Sequence, residues 1–286
     1  MTGSPTIQVT NLNFDFGGPA ILKELNLSLN SGSRCLLVGA NGAGKSTLLR
    51  ILSGKRLVHS EVKVLGKDAF KDRPPGVTYL GTEWAANPVV RSDIVVSHLI
   101  RSVGGDRFPQ RRDLLMDIMD INPNWHMHEV SDGERRRVQI VIGLLEPWKI
   151  LLLDEVTVDL DVLVRTDLLN FLKWETEQRD ATIVYATHIY DGIGNWPTHI
   201  ARIAQGTVTE LVDYNHFPEL DEVKNQPGVV LDSPLLRLVE RWLREDSKEV
   251  KKKRRELRGL KEHTKWDELS ENVDKFGDKY YNYWKI

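Results

Sequence analysis

Cysteine is nearly absent. One residue of that type in 286 leaves no disulfide framework to read. It stands in the apolar run Arg34-Cys-Leu-Leu-Val38, which reads as a buried strand, so Cys35 is expected to be an inert core residue in a chain suited to a reducing compartment. An excess of either charge is also missing. With 39 Lys and Arg against 41 Asp and Glu, the formal net charge is -2, which argues against a surface dedicated to coating nucleic acid and leaves open only a local basic patch. Long apolar runs are absent as well. The best candidate, Val138 to Leu153, is broken by Gln139, Glu146, Pro147 and Lys149, short of the roughly 18 uninterrupted residues that a membrane span needs. Met1-Thr-Gly-Ser-Pro5 is polar and no apolar leader follows it, so the expectation is a cytoplasmic protein, with the nucleus or a membrane periphery as alternatives. If the chain drives transport, the membrane part is another chain. What is present is ordinary: 41% hydrophobic and 28% charged residues, enough for one large domain or a domain with an appendage.

The informative segment is Gly39-Ala40-Asn41-Gly42-Ala43-Gly44-Lys45-Ser46, a complete G-x-x-x-x-G-K-S phosphate loop. The strand-like Arg34 to Val38 enters it and a helix-like Ser46 to Leu52 leaves it, which is the context the motif requires. Glycines at 39, 42 and 44 let backbone approach phosphate oxygens closely. Lys45 supplies a point charge to the β- and γ-phosphates, Ser46 a hydroxyl ligand for Mg2+, and the helix from Thr47 its positive N-terminal end. Downstream, Ile150-Leu-Leu-Leu-Asp154 reads as a central strand, and Asp154 at its carboxyl end can hold Mg2+ through water. Glu155 follows, and strand alternation sends it to the other face. Ser131-Asp-Gly-Glu134 before Val138 and Ile142 is a capping box that opens a helix. Gly133 is not needed for capping, and a phosphate approaching the backbone would need it.

The order of phosphate loop, Ser-x-Gly, apolar strand with Asp-Glu and a lone His188 resembles the ATP-binding cassette (ABC) family from about Ile7 to about Leu211. The resemblance implies an α/β P-loop NTPase fold: a RecA-like core, an antiparallel β subdomain and a helical subdomain at about 85–147. It implies an Mg2+-dependent ATP hydrolase in which Glu155 polarises the attacking water and His188 contacts the γ-phosphate. Ser131 and Gly133 would face ATP held by a partner protomer, Asp161 matches the loop aspartate that follows the carboxylates, and Phe16 takes the place of the aromatic that stacks on adenine. Packing in the sheet is the other reading of Phe16. The implied assembly is a homodimer, or a heterodimer with a related ABC protein, closed around two ATP molecules.

Three departures bear on role. The commonest signature is Leu-Ser-Gly-Gly-Gln, whereas Asp132 and Glu134 here add negative charge beside the expected γ-phosphate. Thr82 or Glu83 replaces the usual Gln, which puts transport coupling in doubt, and Val156 stands where Pro is commoner. The wording of Thr82-Glu-Trp84, Leu151 to Asp161, Phe171 to Thr176 and Tyr185-Ala-Thr-His188 is similar to one subgroup: the plant I-subfamily ABC proteins without a membrane domain, and their fungal relative associated with the Ccr–Not complex. That implies a regulatory or assembly ATPase, with a transporter's ATPase subunit as the alternative.

Residues 1–213 are expected to form the ABC domain, and 214–286 a helical, basic extension. Ser233-Pro234 is a helix start, followed by one stripe of Leu235, Leu238, Val239, Trp242 and Leu243. Lys248 to Lys261 then holds eight Lys or Arg against two Glu, which reads as a solvated helix face before it reads as an RNA, lipid or nuclear-import segment. His126 and His128 could share a metal, yet no further ligand cluster stands near them, so no metal is assigned to the pair.

Overall fold

The computed structural model describes residues 4–81, 88–224 and 233–259. Two compact units result, Met1–Arg241 and Trp242–Ile286.

The first unit holds two sheets. Strands β1 (Ile7–Phe14), β2 (Leu22–Leu29), β4 (Glu61–Val64) and β5 (Lys67–Asp68) form an antiparallel sheet in the order β2-β1-β4-β5. Its alternation is the one written in the sequence, with Leu25, Leu27 and Leu29 buried and the residues between them exposed. Strands β3 (Arg34–Val38), β6 (Val77–Leu80), β7 (Ile150–Asp154), β8 (Thr182–Ala186), β9 (His199–Ala204) and β10 (Thr207–Asp213) form the second sheet in the order β10-β9-β3-β8-β7-β6. All its pairings are parallel except the closing β9–β10 hairpin. Every residue of β3, β7 and β8 is buried, as continuous apolar runs in a parallel sheet must be. Each buried Leu, Ile or Val there contributes about 1.5–3 kcal/mol relative to exposure.

Register places the site. Leu37 of β3 pairs with Ala186 of β8, which also pairs with Asp154 of β7. The carboxyl ends of three neighbouring strands therefore finish on one edge, where parallel α/β sheets hold ligands.

The helices are α1 (Lys45–Leu52), α2 (Val96–Ser102), α3 (Pro109–Ile118), α4 (Asp132–Leu144), α5 (Val162–Arg179), α6 (Pro218–Lys224) and α7 (Pro234–Gly259). The segment between β6 and β7 is helical as expected, but it is broken into short pieces, with an isolated antiparallel bridge between Val95 and His126. Arg111 of α3 joins α5 through two 2.8 Å hydrogen bonds to Glu175, whose side chain is 1% exposed. Arg111 Nε also donates to the Leu144 carbonyl at 2.7 Å. Helix α5 runs for 18 residues, and Asp161 caps its start by accepting from the Leu163 and Val164 amides.

After β10 the chain stays within the first unit up to Arg241. Phe217, Leu220, Val223, Leu235, Leu238 and Val239 are buried, and Arg241 pairs with Glu219. Helix α7 starts at Pro234 as its Ser-Pro signal requires. No described helix is long and apolar enough to cross a membrane.

Candidate active site

The phosphate loop links β3 to α1 and is fixed by two close approaches. A Cβ on Gly39 would lie 2.3 Å from the Ile203 carbonyl oxygen, and Gly44 enters the helix at a φ of 108°. Neither position accepts a side chain without moving backbone. Lys45 is buried, and its Nζ donates to the carbonyls of Gly39 at 2.6 Å and Ala40 at 3.2 Å. Burial lowers the Lys45 ammonium from its ordinary pKa, while Glu155 and Asp154 pull it back up. The cation is thus held inside the loop by acceptors that a phosphate group can replace.

Asp154 and Ser46 meet directly, with Ser46 Oγ donating to Oδ1 at 2.9 Å. The other carboxylate oxygen accepts from Tyr79 at 3.2 Å. Tyr79 is a site residue that the motif reading missed, since a tyrosine on a neighbouring strand carries no motif of its own. Its ring lies under Lys55 Nζ, 4.4 Å from the centroid, and burial pushes its hydroxyl up to about 12, so it stays a donor.

Glu155 is aimed differently from the strand-alternation expectation. Strand β7 ends at Asp154, and Glu155 takes a left-handed conformation with a φ of 54°. It is that turn, not the pleat, that directs the side chain. Its amide donates to the Ala186 carbonyl at 2.9 Å, so the strained residue is tied to β8. One carboxylate oxygen accepts from the His188 amide at 3.3 Å and the other lies 3.1 Å from His188 Nε2. Partial burial raises the Glu155 carboxyl above its ordinary range, opposed by the His188 amide and by Lys45. Burial and then the nearby Lys45 cation lower His188, so its ring is neutral near pH 7.

Ile21, Asn41, Gly42, Gly44, Lys45, Ser46, Thr47, Glu155 and His188 line one open cavity of about 510 Å³. The loop, Glu155 and His188, which together span residues 39 to 188 of the sequence, are brought together here. Phe16 is not in that lining. It is exposed, edge-on to Phe14 at 4.9 Å, with the Arg56 guanidinium 5.4 Å from its ring centroid.

Ser131, Gly133 and Asp161 are not in the lining either. Ser131 is exposed at the start of α4 in a complete capping box: its amide and hydroxyl donate to Glu134 at 2.8 and 2.7 Å, and the Glu134 amide donates back at 3.2 Å. Both bonds hold the Glu134 carboxyl below its ordinary pKa. A Cβ on Gly133 would lie 3.0 Å from the Asp159 carbonyl oxygen, so close packing within the chain already favours glycine there. Asp132 points outward and pairs with Arg135, whose second nitrogen donates to the carbonyls of Met127 and Val130. Arg137 bridges Asp120 at 3.1 Å and Asp161 at 2.6 Å, joining α4 to the loop before α5. Arg136 and Gln139 both donate to the Gly81 carbonyl at 2.9 Å. Thr82 and Glu83, which follow it, lie outside the described residues.

Comparison with known proteins agrees with this geometry. The family model described as ABC transporter matches residues 22–158. ABC transporter I family member 21 of Arabidopsis thaliana is 48% identical over 86% of this chain and 88% of its own length. Member 20 of the same plant is 43% identical over 88% and 80%. CCR4-associated factor 16 of Saccharomyces cerevisiae is 44% identical over 79% and 84%. Among solved structures, cbiO1 of Clostridium perfringens overlays with a TM-score of 0.64 at 21% identity, covering 83% of this chain and 98% of that one. The ATP-binding cassette MJ0796, in a dimeric post-hydrolysis state bound to ADP and Pi, gives 0.63 at 19%, covering 74% and 100%. With its phosphate loop, carboxylate pair and capped signature helix folded as a nucleotide-binding domain, this chain belongs to the ABC family of ATPases.

Proposed function

We propose that the protein hydrolyses ATP with Mg2+ and works by ATP-driven pairing of two ABC domains, as a regulatory or assembly ATPase of the cytoplasm. Ser46 and Asp154 fit a hard divalent ion: a hydroxyl and a carboxylate already 2.9 Å apart beside the loop. Bound there, Mg2+ supplies charge neutralisation on the phosphates. The loop amides and Lys45 bind the phosphates, His188 holds Glu155 in place, and Glu155 accepts the proton of the attacking water. The raised carboxyl suits that base role. The exposed ring of Phe16 offers a face to adenine.

One observation carries the pairing. The signature residues Ser131 and Gly133 do not line the cavity of their own chain, and the loop before α5 together with the helix's first turn exposes Val158 at 51%, Val162 at 69% and Leu163 at 77%. A second ABC domain, identical or related, would cover these side chains and bring its signature to the first cavity. The regulatory role rests on the relatives: a yeast protein named as a CCR4-associated factor and two plant I-family members. The plant names also contain the word transporter, so docking on a separate membrane chain is the second reading. The extension beyond Asp213 would serve partner recruitment in either case.

Glu155→Gln tests the core. It should keep ATP affinity, lose turnover about 100-fold or more, and elute as a dimer with ATP, while Lys45→Ala should bind no nucleotide. Full turnover in Glu155→Gln, or an ATP-bound protein that stays monomeric, would overturn the assignment. Affinity purification with and without ATP separates a regulatory complex from a membrane partner.

A further inference from the structure

His126 and His128 have a third partner that the sequence hides. Asp93, 33 residues upstream, brings a carboxylate to both rings: Oδ1 lies 2.6 Å from His126 Nδ1 and 3.3 Å from His128 Nδ1. The three ligand atoms all lie within 4.8 Å of one another. We propose that Asp93, His126 and His128 form a divalent transition-metal site, suited to Zn2+, with its open position facing solvent.

Three features make this more than a surface cluster. The backbone is pre-organised, because Val95 and His126 form an antiparallel bridge, the Met127 amide donates to Ile94 at 2.9 Å, and the Val96 amide donates to Trp125 at 2.8 Å. Met127, between the two histidines in the chain, is fully buried, and the turn after the bridge is closed by the Glu129 amide donating to the His126 carbonyl at 3.0 Å, which holds the two rings side by side on the surface. The Glu129 carboxylate stands 3.5 Å from the second ring nitrogen of His128, Nε2. Closing that gap to a hydrogen bond would fix the tautomer that presents Nδ1 to a metal. The rings stand perpendicular with centroids 5.8 Å apart, which leaves their edges free to converge.

The distances suit the ion. Ligand atoms at about 2.0–2.1 Å from tetrahedral zinc stand about 3.3 Å apart. His128 Nδ1 and Asp93 Oδ1 are at that separation, and the shorter Asp93–His126 hydrogen bond has to open by about 0.7 Å. Two imidazoles and one carboxylate with an aqueous fourth position favour zinc over Mg2+ or Ca2+, which prefer all-oxygen shells. The site lies outside the ATP cavity, and His128 stands three residues before Ser131. A bound ion would fasten the segment leading into α4 to the one leading into α2.

The test uses full-length, nucleotide-free protein with excess Mg2+ to occupy Ser46 and Asp154. Zn2+ is titrated by calorimetry and by competition with a chromophoric chelator. One equivalent should bind to wild type, and Asp93→Asn and His128→Ala should each weaken it at least 10-fold. Glu129→Gln should weaken it less, and the melting temperature should rise with Zn2+ only where the three ligands are intact. Co2+ in place of Zn2+ should give the intense visible bands of a tetrahedral site. Circular dichroism confirms that each variant is folded. Wild-type binding no tighter than that of folded His126→Ala/His128→Ala would overturn the site, and so would octahedral-type cobalt spectra.

Discussion

Arg111→Met isolates the joint between α3 and α5. The substitution removes both 2.8 Å hydrogen bonds to Glu175 and the bond to the Leu144 carbonyl, while the methionine keeps much of the stem that packs beside Phe171. Glu175 is then a carboxylate at 1% exposure with one remaining cation, Arg179, whose Nε stands at 3.3 Å. Stripping one partner from a buried pair costs about 3–5 kcal/mol. Arg179 offsets part of this, and the orphaned carbonyl adds about 1 kcal/mol, so about 2–4 kcal/mol is expected. For a domain of this size each kcal/mol moves the melting temperature by about 2–4 °C. Differential scanning fluorimetry should therefore show a fall of about 5–15 °C, with nucleotide affinity little changed, since neither residue lines the cavity. Adding Glu175→Gln to the variant removes the stranded charge and should recover about half the loss. A fall below about 2 °C, or no recovery in the double variant, would refute the reasoning.

Two further outcomes follow from the site. Asp132→Gly should strengthen ATP-driven dimerisation in the Glu155→Gln background by about 0.5–1 kcal/mol. The restraint is small because the carboxylate is 80% exposed and shares its charge with Arg135; equal association constants at low and high salt, measured by analytical ultracentrifugation, would show that it exerts none. ATPase activity should fall on the acid side as Glu155 takes up a proton, and its raised pKa places that limb above the ordinary glutamate value of about 4.3. A steady-state pH profile that stays flat down to that value would remove the base assignment.

Much of this was legible from the chain itself, for reasons that differ by residue. The phosphate loop is readable because its backbone contacts forbid side chains at fixed spacing, and Gly39 under the Ile203 carbonyl shows the constraint physically. Strands β3, β7 and β8 are readable because burial on both faces makes them continuously apolar. Asp161 was read as a loop aspartate, and its second role as the cap of α5 emerges only from the bonds it accepts from the Leu163 and Val164 amides. Tyr79 and Asp93 were not legible at all. Each acts across a strand pairing or a bridge, where sequence distance says nothing of spatial distance. Strand alternation was expected to aim Glu155 away from Asp154, whereas a left-handed residue just past the end of β7 sets its direction.

The bond from the Glu155 amide to the Ala186 carbonyl has a dynamic consequence. It makes the proposed base the last rung of the central ladder, beyond the Asp154–Ala186 pair, rather than the first residue of a loop. Local opening of surface segments, which costs little free energy, can change what reaches the cavity without displacing the carboxylate. Releasing Glu155 from β8 breaks a hydrogen bond anchored at the end of two buried strands, and so costs more than opening the rim. Nucleotide access and carboxylate placement are thereby governed by motions of different free energy: the first can be tuned by whatever touches the rim, and the second is tied to the sheet.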